Sequence, residues 1–281
     1  MVNHIEEQPA REDVNPPTTA SPDPVDGEQA IDESSDVDGD FAQLQKTLSQ
    51  KRRAEKDCPE SRLQKALPFT FLPNIRPLTV SDVPSCVQLE NAAFTNPEHR
   101  ASREKFEYRL TTCPELSLGV FCTVIPSQLP PSCKLPTLST ARPVETDRAD
   151  GALSVLLAHI VSTRGTGKVV SDADMDYPRD WRTRQGKSAH VGHQEAGRLV
   201  AVHSLAVLPG LQGCGIGQMI MKAYLQQVKN MGLGEGVGLI CQDYLVGYYE
   251  RFGYKNLGPS KAQFGGGGWN DMVFDLSGST E

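Results

Sequence analysis

The sequence predicts an α/β fold, one α+β mixed sheet with helices on both faces, carried by residues 72–276 of the 281. Three observations predict it. RLVAVHSLAV at 198–207 is a β-branched, largely alternating run that reads as a mostly buried strand. VLPGLQGCGIGQ at 207–218 follows it with a proline and then glycines two apart. From Ile216 onward, Met219, Ile220 and Ala223 join it on one helical face. The unit is strand, glycine loop, helix.

The flanking elements follow in order. PNIRPLTV, from Pro73, reads as a first strand after an ordered start at Leu72. Ser81 is placed to cap a helix through Val83, Val87 and Leu89 to Phe94. After the turn TNPEHRA, Ser102 caps a second helix, REKFEYRLT, which stops at Cys113-Pro114. LSLGVFCTVI and SVLLAHIVST are the second and third strands, and RLVAVHSLAV is the fourth. After the glycine helix come GVGLICQ as a strand, YLVGYYERFG as a helix closed by Gly253, and two strands, YKNLG and GWNDMVFDL. The order is β-α-α-β-β-β-α-β-α-β-β, a sheet covered on both faces. Residues 126–150, rich in Pro, Ser and Thr, and residues 164–196, with Trp181 and two histidines, interrupt it as loop insertions.

Composition divides the chain. Residues 1–40 carry 12 Asp or Glu against one Arg among Pro, Ser, Thr and Gly, so residues 1–60 are expected to be a disordered acidic arm. It would serve as a solubilising tail, or as an autoinhibitory or protein-partner-binding one. It ends in a short basic run, QKRRAEK, which reads as a solvated helix ending near Cys58-Pro59 or as a weak nuclear signal. The remainder holds 23 acidic and 27 basic residues, an excess that suits an anionic cofactor but does not argue for nucleic acid. No stretch approaches the roughly 20 apolar residues of a membrane span. MVNHIEEQPA is not a signal peptide. Seven cysteines without a C-x-x-C pair read as reduced thiols in a cytoplasmic or nuclear protein. His190 and His193, at i,i+3 without a third ligand, do not make a metal site, and no metal is expected.

Unpaired amides at a helix start, with glycines that admit a ligand, favour an anion. Gly213, Gly215 and Gly217 fit neither G-x-G-x-x-G nor G-x-x-x-x-G-K-[ST]. The loop Gln212-x-x-Gly215-x-Gly217 after a strand does resemble the acetyl-CoA signature of the GNAT superfamily, and the element order resembles that of the GNAT acyl-CoA N-acyltransferase fold. CPELSLGVF at 113–121, HSLAV at 203–207 and YYERFGY at 248–254 are similar to segments of arylalkylamine (serotonin) N-acetyltransferases. The likeness covers about residues 74–276. It departs from the vertebrate members at Ala201, where a paired histidine is absent, and it lacks their flanking phosphorylation segments.

The resemblance implies direct transfer of acetyl from acetyl-CoA to an amine in a ternary complex. An alkylammonium must lose a proton before it attacks a thioester, and the departing thiolate gains one. His203, on the strand before the phosphate loop, titrates near working pH and suits a proton relay; spacing alone equally describes a core histidine. With the second histidine missing, Glu98 in the inter-helix turn falls where insect members carry an acidic residue, and it is a base acting through water or a surface turn residue. The family register makes Tyr249, not Tyr248, the acid for the thiolate and a cofactor contact.

The amides of Gly213, Cys214, Gly215, Ile216 and Gly217 are expected to hold the pyrophosphate, with Gln218 at the edge. Cys214 acts there through its backbone. A bulge-like break at Leu208-Pro209 would free Leu205, Ala206 and Val207 for the pantetheine arm. Phe94, Phe264 and Trp269 resemble an aromatic substrate lining or are core, and Gly265 to Gly268 suggest a mobile or differently shaped wall. Arylalkylamines, polyamines or both are the expected acceptors. A protein or peptide substrate and a non-catalytic acyl-CoA-binding module are the alternatives.

Overall fold

In a computed structural model, residues 59–144, 150–183 and 190–277 are described, together with Gln43. The acidic arm and the basic run at 50–56 lie outside the described residues, apart from Gln43 and the helix that begins at Pro59. The described residues from Pro59 onward fall within one compact unit.

That helix, α1 (Pro59–Ala66), corrects the expected start at Leu72 and the expected helix end at Cys58-Pro59. Leu63 and Leu67 are buried, and α1 packs on the turn Pro209–Leu211, so the fold begins with an apolar helix face and not with a strand. β1 (Pro73–Pro77) follows. The predicted cap at Ser81 is also corrected. Ser81 lies inside a 3-10 turn, Val80–Asp82, whose cap is Thr79. Asp82 accepts from Thr79 N at 2.9 Å and takes the Arg76 guanidinium on both oxygens at 2.8 Å, so a buried carboxylate organises this entry. α2 (Val83–Ala93) follows. α3 (Arg103–Thr112) starts where expected, with Ser102 Oγ accepting from Lys105 N.

The sheet strands are β2 (Ser117–Val124), β4 (Leu153–Gly165), β5 (Leu199–Val207), β6 (Gly236–Cys241), β7 (Lys255–Pro259) and β8 (Asn270–Asp275), with a two-residue β3 (Arg142–Pro143) against β4. Helices α4 (Asp172–Met175), α5 (Ile216–Met231) and α6 (Val246–Glu250) complete the order. The sheet runs β1-β2-β4-β5-β6-β8-β7, antiparallel except between β5 and β6. This is the predicted mixed α/β architecture. The described parts of both insertions are packed. Thr137 donates to Leu156 O at 2.6 Å, and Met175 and Tyr177 are buried. Among the described residues no helix is long and apolar enough to cross a membrane.

The sheet is covered on both faces because β4 alternates. His159 points toward Glu90 of α2, whereas Ser162 points toward Tyr224 of α5, whose phenol lies 2.6 Å from Ser162 Oγ. The central strands β2, β4 and β5 are accordingly near-continuous apolar runs.

Two features of β5 build the site. Its pairing with β4 slips between Val161 and Ser162, whose partners are Ser204 and Val202, so His203 is the extra residue of a bulge. Its parallel pairing with β6 covers only Leu199–Ala201 against Gly236–Gly238. Pairing with β4 ends at Leu208-Pro209 as expected, after Leu208 N donates to Leu157 O at 3.0 Å and where Pro209 begins a 3-10 turn, but the bulge expected there lies earlier, at His203. The strand opens toward β6 earlier still, after Ala201 and just before the bulge.

If α1 is part of the folded unit, Leu63→Ala is expected to lower stability by about 2 kcal/mol. Urea unfolding of the full chain, with an unchanged m-value, checks this.

Candidate active site

Beyond Ala201, where β6 has left it, β5 borders a cavity of about 540 Å³. Leu205, Ala206 and Val207 form one wall and the glycine loop another; Tyr248, Tyr249 and Arg251 of the α6 segment close it. At the loop, Gly213 and Gly215 have φ of 73° and 84°, a left-handed backbone that side chains resist, and Gly215 is the N-cap of α5. The first-turn amides of α5 have no carbonyl in their own helix to bond.

Within the loop the roles divide. Gln212 Nε2 donates to Val207 O at 3.2 Å and so ties the loop to the strand end. Cys214 and Ile216 point into the core. The Cys214 amide, expected in the anion nest, donates instead to Leu211 O. Gly213, Gly215, Gly217 and Gln218 face the cavity.

A second cavity of about 110 Å³ adjoins the first and shares five residues with it: Phe94, Leu205, Tyr244, Leu245 and Tyr249. The predicted aromatic residues Phe94, Phe264 and Trp269 all line it, with His203. Trp269 Nε1 donates to Phe264 O at 2.7 Å, and His99 lies against the Trp269 ring at 4.8 Å. The glycine run packs against the inter-helix turn at its first residue. At Gly265, φ is 57° and a Cβ would stand 2.6 Å from the His99 ring, so only glycine lets the two turns meet. Glu98 is not brought in. It lies exposed in the turn Pro97–His99 and lines neither cavity, because its neighbour His99 takes the inward position.

His203 is half-buried. Met175 Sδ, 3.1 Å from Nδ1, can only accept, so Nδ1 carries the proton and Nε2 accepts from Thr163 Oγ1 at 2.8 Å. Burial, reinforced by the Arg109 and Lys105 cations, holds the ring well below the usual histidine range. Arg109 is fully buried and donates to Met175 O at 3.0 Å. Lys105, its Nζ 4.8 Å from the Phe264 ring centroid, is brought down to about 8 by burial and by Arg109. Tyr249 sits where the cavities meet; burial and its neighbours Tyr248 and Cys241 raise its phenol above the ordinary range, so it stays protonated.

Sequence reasoning missed Thr163, Met175, Lys105, Arg109, His99 and Arg251. All but Met175 stand inside segments quoted above, but the spacing of those segments does not say which of their polar residues faces the site. His193, weighed as a metal ligand, accepts from Arg164 N at 3.2 Å and braces the end of β4. Among the described residues no group of three or more His, Cys, Asp or Glu side chains is placed to hold a metal.

The open edge of β5, the glycine loop and the N-terminus of α5 thus meet at one cavity. Residues 183–275 match the acetyltransferase (GNAT) domain family. Among curated proteins it is similar to serotonin N-acetyltransferase of Mesocricetus auratus, 26% identical over 68% of this chain and 71% of the relative. The enzyme of Pan troglodytes is 24% identical over 72% and 76%. A shorter match to that of Macaca mulatta is 29% identical and spans 31% of this chain but 42% of the relative. Among solved structures, the loading GNATL domain of CurA from Lyngbya majuscula matches with a TM-score of 0.46 at 15% identity, over 73% of this chain and 98% of that one.

The depressed His203 predicts acid sensitivity. The unfolded ring gains a proton near pH 6.5 and the folded ring only at much lower pH, so unfolding takes up a proton between those values and stability falls as pH drops below 6.5. His193, lowered by burial and Arg164, adds in the same sense. Each contributes a slope of at most about 1.4 kcal/mol per pH unit. His203→Gln is expected to flatten the stability curve below about pH 6.5 in thermal or urea unfolding, with no change of slope above about pH 7.

Proposed function

We propose that the protein transfers acetyl from acetyl-CoA to the primary amine of an arylalkylamine such as tryptamine, serotonin or phenylethylamine. The observation that carries this reading is the pair of adjoining cavities. The larger one combines an open strand edge with a glycine loop at a helix N-terminus; the smaller one has aromatic walls, and Tyr249 stands between them.

The larger cavity would take the cofactor. Leu205, Ala206 and Val207 offer backbone groups on the edge that β6 leaves, as a substitute-strand site for the pantetheine amides. Gly213, Gly215, Gly217 and Gln218, with the first-turn amides of α5, suit the pyrophosphate, and Arg251 on the same wall supplies a cation for a phosphate. The thioester then falls at the junction. The amine lone pair forms a C–N bond to the acetyl carbon, the C–S bond breaks, the protonated Tyr249 phenol donates to the thiolate, and the proton that the acylated nitrogen then loses restores the phenol. His203 borders the amine as a neutral ring whose lone pair is engaged by Thr163. It shapes the site more than it takes up the proton.

For the acceptor, Phe94, Phe264 and Trp269 suit an indole or phenyl ring. Lys105 and Arg109 behind that wall repel a polycation, which favours arylalkylamines over polyamines.

A thiol-release assay with purified protein and acetyl-CoA tests this against tryptamine, serotonin, phenylethylamine, spermidine, spermine and a histone-tail peptide. Turnover is expected with the arylalkylamines, at a kcat/KM at least tenfold above that with the polyamines. Turnover only with the peptide, or none with acetyl-CoA bound, contradicts the proposal.

A further inference from the structure

Behind the smaller cavity lies a polar cluster with no part in the reading above. Glu90 of α2, His159 of β4 and Ser204 of β5 are 1%, 0% and 2% exposed. Ser204 Oγ donates to Glu90 Oε2 at 2.7 Å. His159 Nε2 lies 3.0 Å from Ser204 Oγ and 3.2 Å from Glu90 Oε2. Glu90 Oε1 accepts from Ala101 N at 2.9 Å. A buried carboxylate is costly to desolvate, and this one is fully engaged by donors.

The bulge at His203 connects this cluster to the cavity. It turns His203 and Ser204 toward the same side of the sheet, where His203 meets Thr163 and Ser204 meets Glu90. Ser204 therefore belongs both to the buried cluster and to the cavity wall. Its hydroxyl donates one proton to Glu90 and accepts from His159, which leaves a second lone pair. The lone pair of His203, by contrast, is taken by Thr163.

We infer that Ser204 and Glu90 form a relay that receives the proton leaving the substrate ammonium, with His159 holding hydroxyl and carboxylate in place. The inference rests on the acetyltransferase reading. An ammonium N–H bond breaks as Ser204 Oγ gains that proton; the Ser204 O–H bond breaks as Glu90 Oε2 gains its proton. The nitrogen lone pair so freed attacks the thioester. After transfer, Glu90 returns the proton through Ser204 to solvent. Ser204 touches the substrate, and Glu90 is a positioning and proton-holding residue that acts through it. The charged and titratable groups around Glu90 are Lys105 and Arg109 from α3, His159 from β4, and Cys86 from its own helix.

The test is the pH dependence of kcat and KM for phenylethylamine, measured on the full chain from neutral to alkaline pH. Glu90→Gln keeps an acceptor for Ala101 N but cannot hold the proton. It is expected to leave the KM for acetyl-CoA within about twofold and to lower kcat at neutral pH about 100-fold. Its rate should then climb about tenfold per pH unit toward the amine's own pKa near 10, while the wild type levels off earlier. Ser204→Ala should behave alike, and Ser204→Thr, which restores the hydroxyl, should recover most of the rate. Variant profiles parallel to wild type, with any loss equal at every pH, would overturn the relay. Should Glu90→Gln fail to fold, the Ser204→Ala and Ser204→Thr pair decides alone. Wild-type turnover is read in the same series: an inactive wild type counts against the acetyltransferase reading, and an active one with unaltered variants counts against the relay alone.

Discussion

The site depends on one departure from regular pairing: β5 carries an extra residue at His203 and leaves β6 after Ala201. A strand that stays bonded to β4 on one side while losing β6 on the other presents a row of amide and carbonyl groups inside the molecule. Leu205, Ala206 and Val207 form that row, and the cavity runs along it. The glycine loop is fixed to the end of the same strand by Gln212, so the open edge and the helix N-terminus keep a set relation. Without the parting, β5 and β6 would zip together and the space for a ligand would close.

The same bulge sets the electrostatics. It brings His203 against Met175 and Thr163, under the buried Arg109 and the half-buried Lys105. Two cations beside a poorly solvated imidazole keep it neutral, and burial keeps the Tyr249 phenol protonated. Glu90 and Asp176 act on Arg109 and Lys105 as opposite charges. Aromatic walls and charged groups thus share one small volume.

Much of this was legible in the sequence, for physical reasons. β2, β4 and β5 are long β-branched runs whose burial on both faces leaves little room for another reading. The loop at 207–218 carries glycine where φ is positive, and Ser102 caps α3 as a hydroxyl before an acidic turn should. The misses are equally physical. α1 was lost because its two buried leucines sit among charged residues of low apolar content. Ser81 was credited with a cap that Thr79 makes, since Asp82 draws the chain into a 3-10 turn first. A bulge has no residue signature when its extra residue is not glycine, so it was placed at the visible proline. Glu98 and His99 are adjacent, and only the packing of Gly265 decides which of them turns inward. Arg109 and Glu90, on two helices read only as amphipathic, meet the sheet through tertiary packing that no spacing encodes.

Amide hydrogen exchange with and without acetyl-CoA tests the central claim most directly, because it reads the open edge itself. The account predicts that cofactor slows exchange at Leu205 to Val207 and at Gly215 to Gln218, with little change along β1 and β2. Unchanged exchange at Leu205 to Val207 with acetyl-CoA bound, or protection confined to another face of the sheet, would contradict it.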